Sequence, residues 1–157
     1  MKSPIITTLV AVLALFTLAL GKDKLPRGYE PTSSFEEVRA EALEKGKFIT
    51  LLMKGKDGCP NCERAISNGE RAVKTSSVLL FSRVEKVRAP ENGLPAEITK
   101  NLGQLTYGFS VQFVVIDPTD LSIVATASRK ELQDDRKATK AFKDTVREAR
   151  KALQEAL

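Results

Sequence analysis

The chain has 157 residues, 42% hydrophobic and 29% charged, with a formal net charge of +5; this fits one globular domain and is too apolar for a disordered one. It contains no histidine, which excludes Ser-His-Asp and Cys-His catalysis, any other histidine general base and most catalytic zinc sites. The basic excess is weak and interleaved with acids, so a nucleic-acid partner is not expected.

In chain order, the first element is an uncharged run, Ile5–Leu20 (IITTLVAVLALFTLAL), preceded by Lys2 and closed by Ala19-Leu20-Gly21. It is short for a transmembrane helix, which needs about 20 residues, and has the apolar core and small-residue exit of a secretory signal peptide. Residues 1–21 are therefore expected to be a signal peptide, with an uncleaved membrane anchor as the alternative. On either reading the remainder faces a periplasmic or secreted environment. Residues 22–33 (KDKLPRGYEPTS) carry two prolines and a glycine and read as a flexible leader, leaving residues 34–157 as the domain.

Ser34-Phe35-Glu36-Glu37 has the form of a capping box, and Phe35, Val38, Ala42 and Leu43 recur at helical spacing up to Gly46. FITLLM, residues 48–53, is a short continuous apolar run suited to a central buried strand. KGKDG forms a turn, the pair Cys59 and Cys62 follows, and a helix runs on until Asn68-Gly69 interrupts it. VLLFSRVEKV (residues 78–87) is the next strand, APENGLPAE a loop and ITKNLGQL a short helix. QFVVIDPTDLSIVATA, residues 112–127, reads as a hairpin turning at Asp117-Pro118-Thr119-Asp120. From Lys130 a long amphipathic helix is expected, with Ala138, Phe142, Val146, Ala149 and Leu153 as its apolar stripe and its charges as a solvated face. A buried strand feeding a helix and then another strand implies a right-handed parallel crossover, and the hairpin adds antiparallel strands. An α/β sandwich with a mixed sheet of about four strands follows.

The two cysteines stand in KGKDGCPNCERA, residues 54–65. A thiol at a helix N-terminus meets free amides and the positive end of the macrodipole, which favour the nucleophilic thiolate. Pro60 suits the first helical position, where its missing N–H costs nothing. Lys54 and Lys56 add positive charge nearby in sequence and Asp57 opposes them. Residues three apart share one face of a helical turn, so Cys62 is placed to close on Cys59. A metal site would need two further ligands, and the chain has neither another cysteine nor a histidine. Haem attachment would want histidine where Glu63 stands. A structural disulfide remains open, although a four-residue loop stabilises by only about 2 kcal/mol, against about 3 for a fifteen-residue loop.

Residues 35–62 (FEEVRAEALEKGKFITLLMKGKDGCPNC) and 108–127 (GFSVQFVVIDPTDLSIVATA) together resemble the thioredoxin-like family, over roughly residues 34–157. That family places a helix, a strand, CxxC at the start of the next helix, and later a hairpin and a C-terminal helix. The resemblance implies a three-layer α/β sandwich and a thiol–disulfide oxidoreductase, with Cys59 attacking and Cys62 resolving. Pro60, Asn61, Ser110 and Val111 would line the substrate groove, with Tyr107 and Phe109 just before it. Protein thiols or disulfides would be the substrates and a second redox protein the electron partner; no cofactor and no metal are implied. Three positions depart from the family pattern. Gly58 replaces an aromatic residue, Met53 the buried acid of thioredoxins proper, and Val111 the cis-proline. Asn61 stands where strongly oxidising relatives carry an imidazole. These departures bear on exchange rather than on the fold, and they keep a second reading open: a redox-silent thioredoxin-fold binding module with a structural disulfide.

Overall fold

The computed structural model describes residues 25–55, 58–87, 92–103 and 110–156; the expected signal segment lies outside them. In chain order the elements are β1 (Glu30–Pro31), a single 3-10 turn (Thr32–Ser34), α1 (Phe35–Glu44), β2 (Phe48–Lys54) and α2 (Pro60–Val73). Then come β3 (Ser77–Arg83), α3 (Val84–Val87), α4 (Ala96–Gly103), β4 (Val111–Ile116), β5 (Ile123–Ser128), α5 (Arg129–Gln133) and α6 (Arg136–Ala156). Five strands form one mixed sheet in the order β1-β3-β2-β4-β5. β2 pairs parallel with β3 and antiparallel with β4, and β4 pairs antiparallel with β5.

The apolar run of β2 is explained by its central place, since helices cover both faces. Phe48 and Leu52 point to one side, packing in a cluster with Phe113 and Val115 of β4, Ala65, Ile66 and Val73 of α2, and Phe142, Val146 and Leu153 of α6. Ile49, Leu51 and Met53 point to the other, among Val114 and Ile116, Phe35, Val38 and Ala42 of α1, and Ile98 and Leu102 of α4. This alternation makes three layers. The expected stripe of the C-terminal helix is the one that packs here: Phe142, Val146 and Leu153 are buried and Ala149 lies against the same cluster.

Several elements differ from expectation, each for a local reason. The sheet has five strands because Glu30 and Pro31, in the stretch read as a flexible leader, pair with Leu80 and Phe81. Proline is tolerated on such an edge, and neighbouring Tyr29 is buried. The capping box at Ser34 does not form. Ser34 closes the 3-10 turn at φ −94°, ψ 22°, outside the extended region an N-cap needs, and its side chain makes no cap bond. β3 ends at Arg83 rather than running to Val87. Val84 and Val87 are both buried with Glu85 and Lys86 exposed between them, which is the spacing of a helical turn and not of a strand. α2 runs unbroken through Asn68-Gly69, because Gly69 lies where the helix meets the ring of Phe113. The single long helix is two. Asp135 breaks it, its carboxylate accepting from the backbone N–H groups of Lys137 and Ala138 at 2.9 Å each.

Candidate active site

Cys59 and Cys62 form a disulfide, with Cα atoms 5.1 Å apart. Cys59 is the N-cap of α2, in extended backbone (φ −104°, ψ 104°), and Pro60 opens the helix. The Cys59 carbonyl accepts from the N–H groups of Cys62 (2.9 Å) and Glu63 (3.1 Å). The Cys62 N–H also lies 3.2 Å from Cys59 Sγ, to which it donates. Cys59 Sγ therefore sits among the amides of a helix start, where negative charge is stabilised. The two sulfurs differ in access. Cys59 is only partly buried, whereas Cys62 is 2% exposed in the apolar cluster beneath it. Pro60 and Asn61 are exposed on the first turn.

Gly58, immediately before Cys59, has φ 78°, and a Cβ built on it meets nothing within 4 Å. Glycine is required here by the left-handed backbone and not by crowding. The same backbone would strain the aromatic residue that the family pattern places at this position.

The sheet brings the start of β4 to this helix. Val111 is opposite Lys54 in the β2–β4 pairing, and it is buried in the cluster that contains Cys62 and against which Cys59 packs. The Gly55 N–H donates to the Ser110 carbonyl at 2.7 Å. Of the expected groove residues, Ser110 and Val111 stand at the start of β4 beside the end of β2, and Pro60 and Asn61 on the first turn of α2. Met53 is fully buried on the opposite face, among the α1 and α4 side chains. The side chain of Lys54, 14% exposed, reaches Glu63 in the first turn of α2 at 2.7 Å. Lys56, Asp57, Tyr107 and Phe109 lie outside the described residues.

Three side chains at this end of the sheet, Gln112 on the face away from Cys62, were not singled out by the sequence pattern. Arg83 donates from Nη1 to the Gly55 carbonyl at 2.8 Å, and its guanidinium lies 5.8 Å from the Phe81 ring centroid. Arg129 donates from Nε to Ser110 Oγ at 3.2 Å and from Nη1 to Gln133 Oε1 at 2.6 Å. Gln112 is 5% exposed, and its Oε1 accepts no hydrogen bond among the described residues. Both arginines sit in charge-rich stretches that look like solvated surface. Only the proximity of segments distant in sequence brings them to this end of the sheet.

No family model matches the chain, and no curated protein matches it. Among solved structures it is similar to a disulphide isomerase from Xylella fastidiosa Temecula1, at 18% identity and TM-score 0.46, over 84% of this chain and 98% of that one. The chain's own sheet order, its closing hairpin and C-terminal helices, and the CxxC that opens the helix after the central strand make its fold thioredoxin-like.

Proposed function

We propose that the chain is an extracytoplasmic thiol–disulfide oxidoreductase that exchanges disulfides with protein substrates through Cys59 and Cys62. The supporting observation is the asymmetry of the pair: a partly exposed cysteine at the N-cap of α2, bonded to a buried one a turn further on. In the reducing direction, the Cys59 thiolate attacks a substrate disulfide. One substrate sulfur joins Cys59 Sγ in a mixed disulfide and the other leaves as a thiolate. The Cys62 thiolate then attacks Cys59 Sγ and releases the second substrate sulfur. The Cys59–Cys62 bond forms as two electrons pass to the substrate, and a partner dithiol protein returns them by the reverse steps. The oxidising direction is the same sequence run backwards. Export through residues 1–21 accompanies this reading, and the N-terminal mass of the exported protein tests it.

The deciding experiment is a titration in glutathione buffers, with the state of the pair read by alkylation and mass. A reversible midpoint between about −270 and −120 mV is expected of a catalyst. A bond that stays oxidised below about −300 mV would mark a structural staple and leave a binding module. In exchange assays, Cys59→Ser should abolish turnover and Cys62→Ser should trap a mixed disulfide on Cys59. The reverse pattern would overturn the assigned roles.

A further inference from the structure

Four chain segments meet at one end of the sheet, and two arginine side chains link them. The end of β2 is joined to the start of β4 by the Gly55 N–H donating to the Ser110 carbonyl at 2.7 Å. The end of β3 reaches the same point through Arg83, which donates to the Gly55 carbonyl at 2.8 Å. The start of α5 joins through Arg129, whose Nε donates to Ser110 Oγ at 3.2 Å. The Arg129 guanidinium is itself held from behind, because Nη1 donates to Gln133 Oε1, one turn along α5, at 2.6 Å. α5 is anchored in turn: the Glu131 carboxylate accepts from the Ser128 N–H (2.7 Å) and hydroxyl (2.6 Å), and the Asn68 amide of α2 donates to the Leu132 carbonyl at 2.7 Å. Ser110 is thus pinned on its main chain from one side and on its side chain from the other. Residue 111 is a valine, so no ring restrains its backbone torsion, and the β2–β4 ladder together with these hydrogen bonds supplies the restraint.

Resting on the exchange reading above, we infer that Arg129 is a positioning residue for polypeptide substrates. Its two-point hold on Ser110 and Gln133 keeps the Ser110–Val111 backbone in register beside Cys59, where an extended substrate chain would lie during attack. The role depends on the planar fork of the guanidinium, which reaches two acceptors at once with fixed spacing; a single ammonium cannot do so. Substrates that offer only a disulfide and no backbone do not depend on this register. A small change of angle at the reacting sulfurs is costly to rate, so loss of the hold should affect the polypeptide reaction selectively.

The test measures kcat/KM for insulin reduction, with dithiothreitol as the electron source, alongside the rate with hydroxyethyl disulfide. Arg129→Met is expected to lower kcat/KM for insulin about tenfold, while the hydroxyethyl disulfide rate changes less than twofold. Arg129→Lys should resemble Arg129→Met, since the charge is kept and the fork lost. Ser110→Ala should give a similar loss, and the double variant Ser110→Ala/Arg129→Met should be no worse than either, because both remove the Arg129–Ser110 bond. In hydrogen exchange, the Gly55 amide should lose protection in Arg129→Met while amides of central β2 keep theirs. Full activity in Arg129→Lys would replace the fork with a simple charge effect and overturn the inference. Equal losses on both substrates, or wild-type insulin kinetics in Arg129→Met, would overturn it as well. A wild-type protein that reduces neither substrate would refute the exchange reading itself, a result distinguishable from the others.

Discussion

Gly69→Ala tests the close approach of α2 to the sheet. In an ordinary helix interior this change stabilises by about 1 kcal/mol, because alanine has the better helix propensity. At Gly69 the added Cβ would lie 2.6 Å from Cζ and 2.8 Å from Cδ2 of Phe113, and closer still to Cε2. Carbon atoms in good contact sit at about 3.5–4.0 Å, so helix and ring must separate by roughly 1 Å. Phe113 has no room to give. It is 0% exposed in β4, which is flanked by β2 and β5. Overpacking of this kind costs about 1–3 kcal/mol, and three short contacts at once place it near the upper end. With the propensity gain subtracted, the net loss is about 2 kcal/mol. Urea unfolding followed by circular dichroism should show the midpoint fall by about 1 M at unchanged slope. Phe113→Leu removes the ring and supplies the control. In that background Gly69→Ala should become neutral or stabilising, a coupling of about 2 kcal/mol or more between the sites. Gly69→Ala at or above wild-type stability, or an equal loss in both backgrounds, would refute the packing argument.

Tyr29 is buried and donates to Glu70 Oε1 at 3.1 Å; burial first, and the Glu70 carboxylate second, hold its phenol well above the ordinary range near 10. The unfolded chain ionises this phenol near pH 10 and the folded chain does not. Its contribution is therefore complete below pH 10 and is lost as pH rises above it. Absorbance titration should show Tyr29 resisting ionisation until the protein unfolds, and Tyr29→Phe should abolish that late step. Arg39 donates to the Pro118 carbonyl (2.8 Å) and the Thr119 carbonyl (3.1 Å), tying α1 to the hairpin turn. Arg39→Met should cost about 1 kcal/mol in urea unfolding, and no loss would mean that water replaces both bonds. Phe142→Ala removes the largest side chain with which α6 enters the core. A loss of about 3–5 kcal/mol is expected, and a loss below 1 would show that α6 is not part of the cooperative unit. Gly58→Ala places a side chain at φ 78° in open space and should cost about 1 kcal/mol of stability.

Properties that repeat along the chain were legible from the sequence alone. The continuous apolar run of β2, the alternating hairpin and the helical spacing of Phe142, Val146 and Leu153 specify elements because each is a local periodicity. CxxC after such a run, with proline at the helix start, locates the disulfide pair for the same reason. Misreadings came where one residue type has two local meanings. Asn68-Gly69 is a break in one context and a close approach in another, and only the Phe113 ring above it distinguishes them. Glu30-Pro31 is too short to carry a period, so only pairing with Leu80 and Phe81 makes it a strand. The 3-10 turn before α1 rotated Ser34 out of capping geometry, which no residue identity reveals.

The contacts around Ser110, which the resemblance places in the expected groove, could by contrast come only from the tertiary structure. Ser110 and Gly55 are far apart in sequence and meet because β4 runs antiparallel beside β2. Arg129 and Arg83 look like surface charge until the sheet carries the start of α5 and the end of β3 to the same place. Sequence thus determined where the disulfide lies, because two cysteines on one helical turn are local. Folding determined what surrounds that chemistry, because a hydrogen bond between strand ends depends on register, and register is a property of the whole sheet.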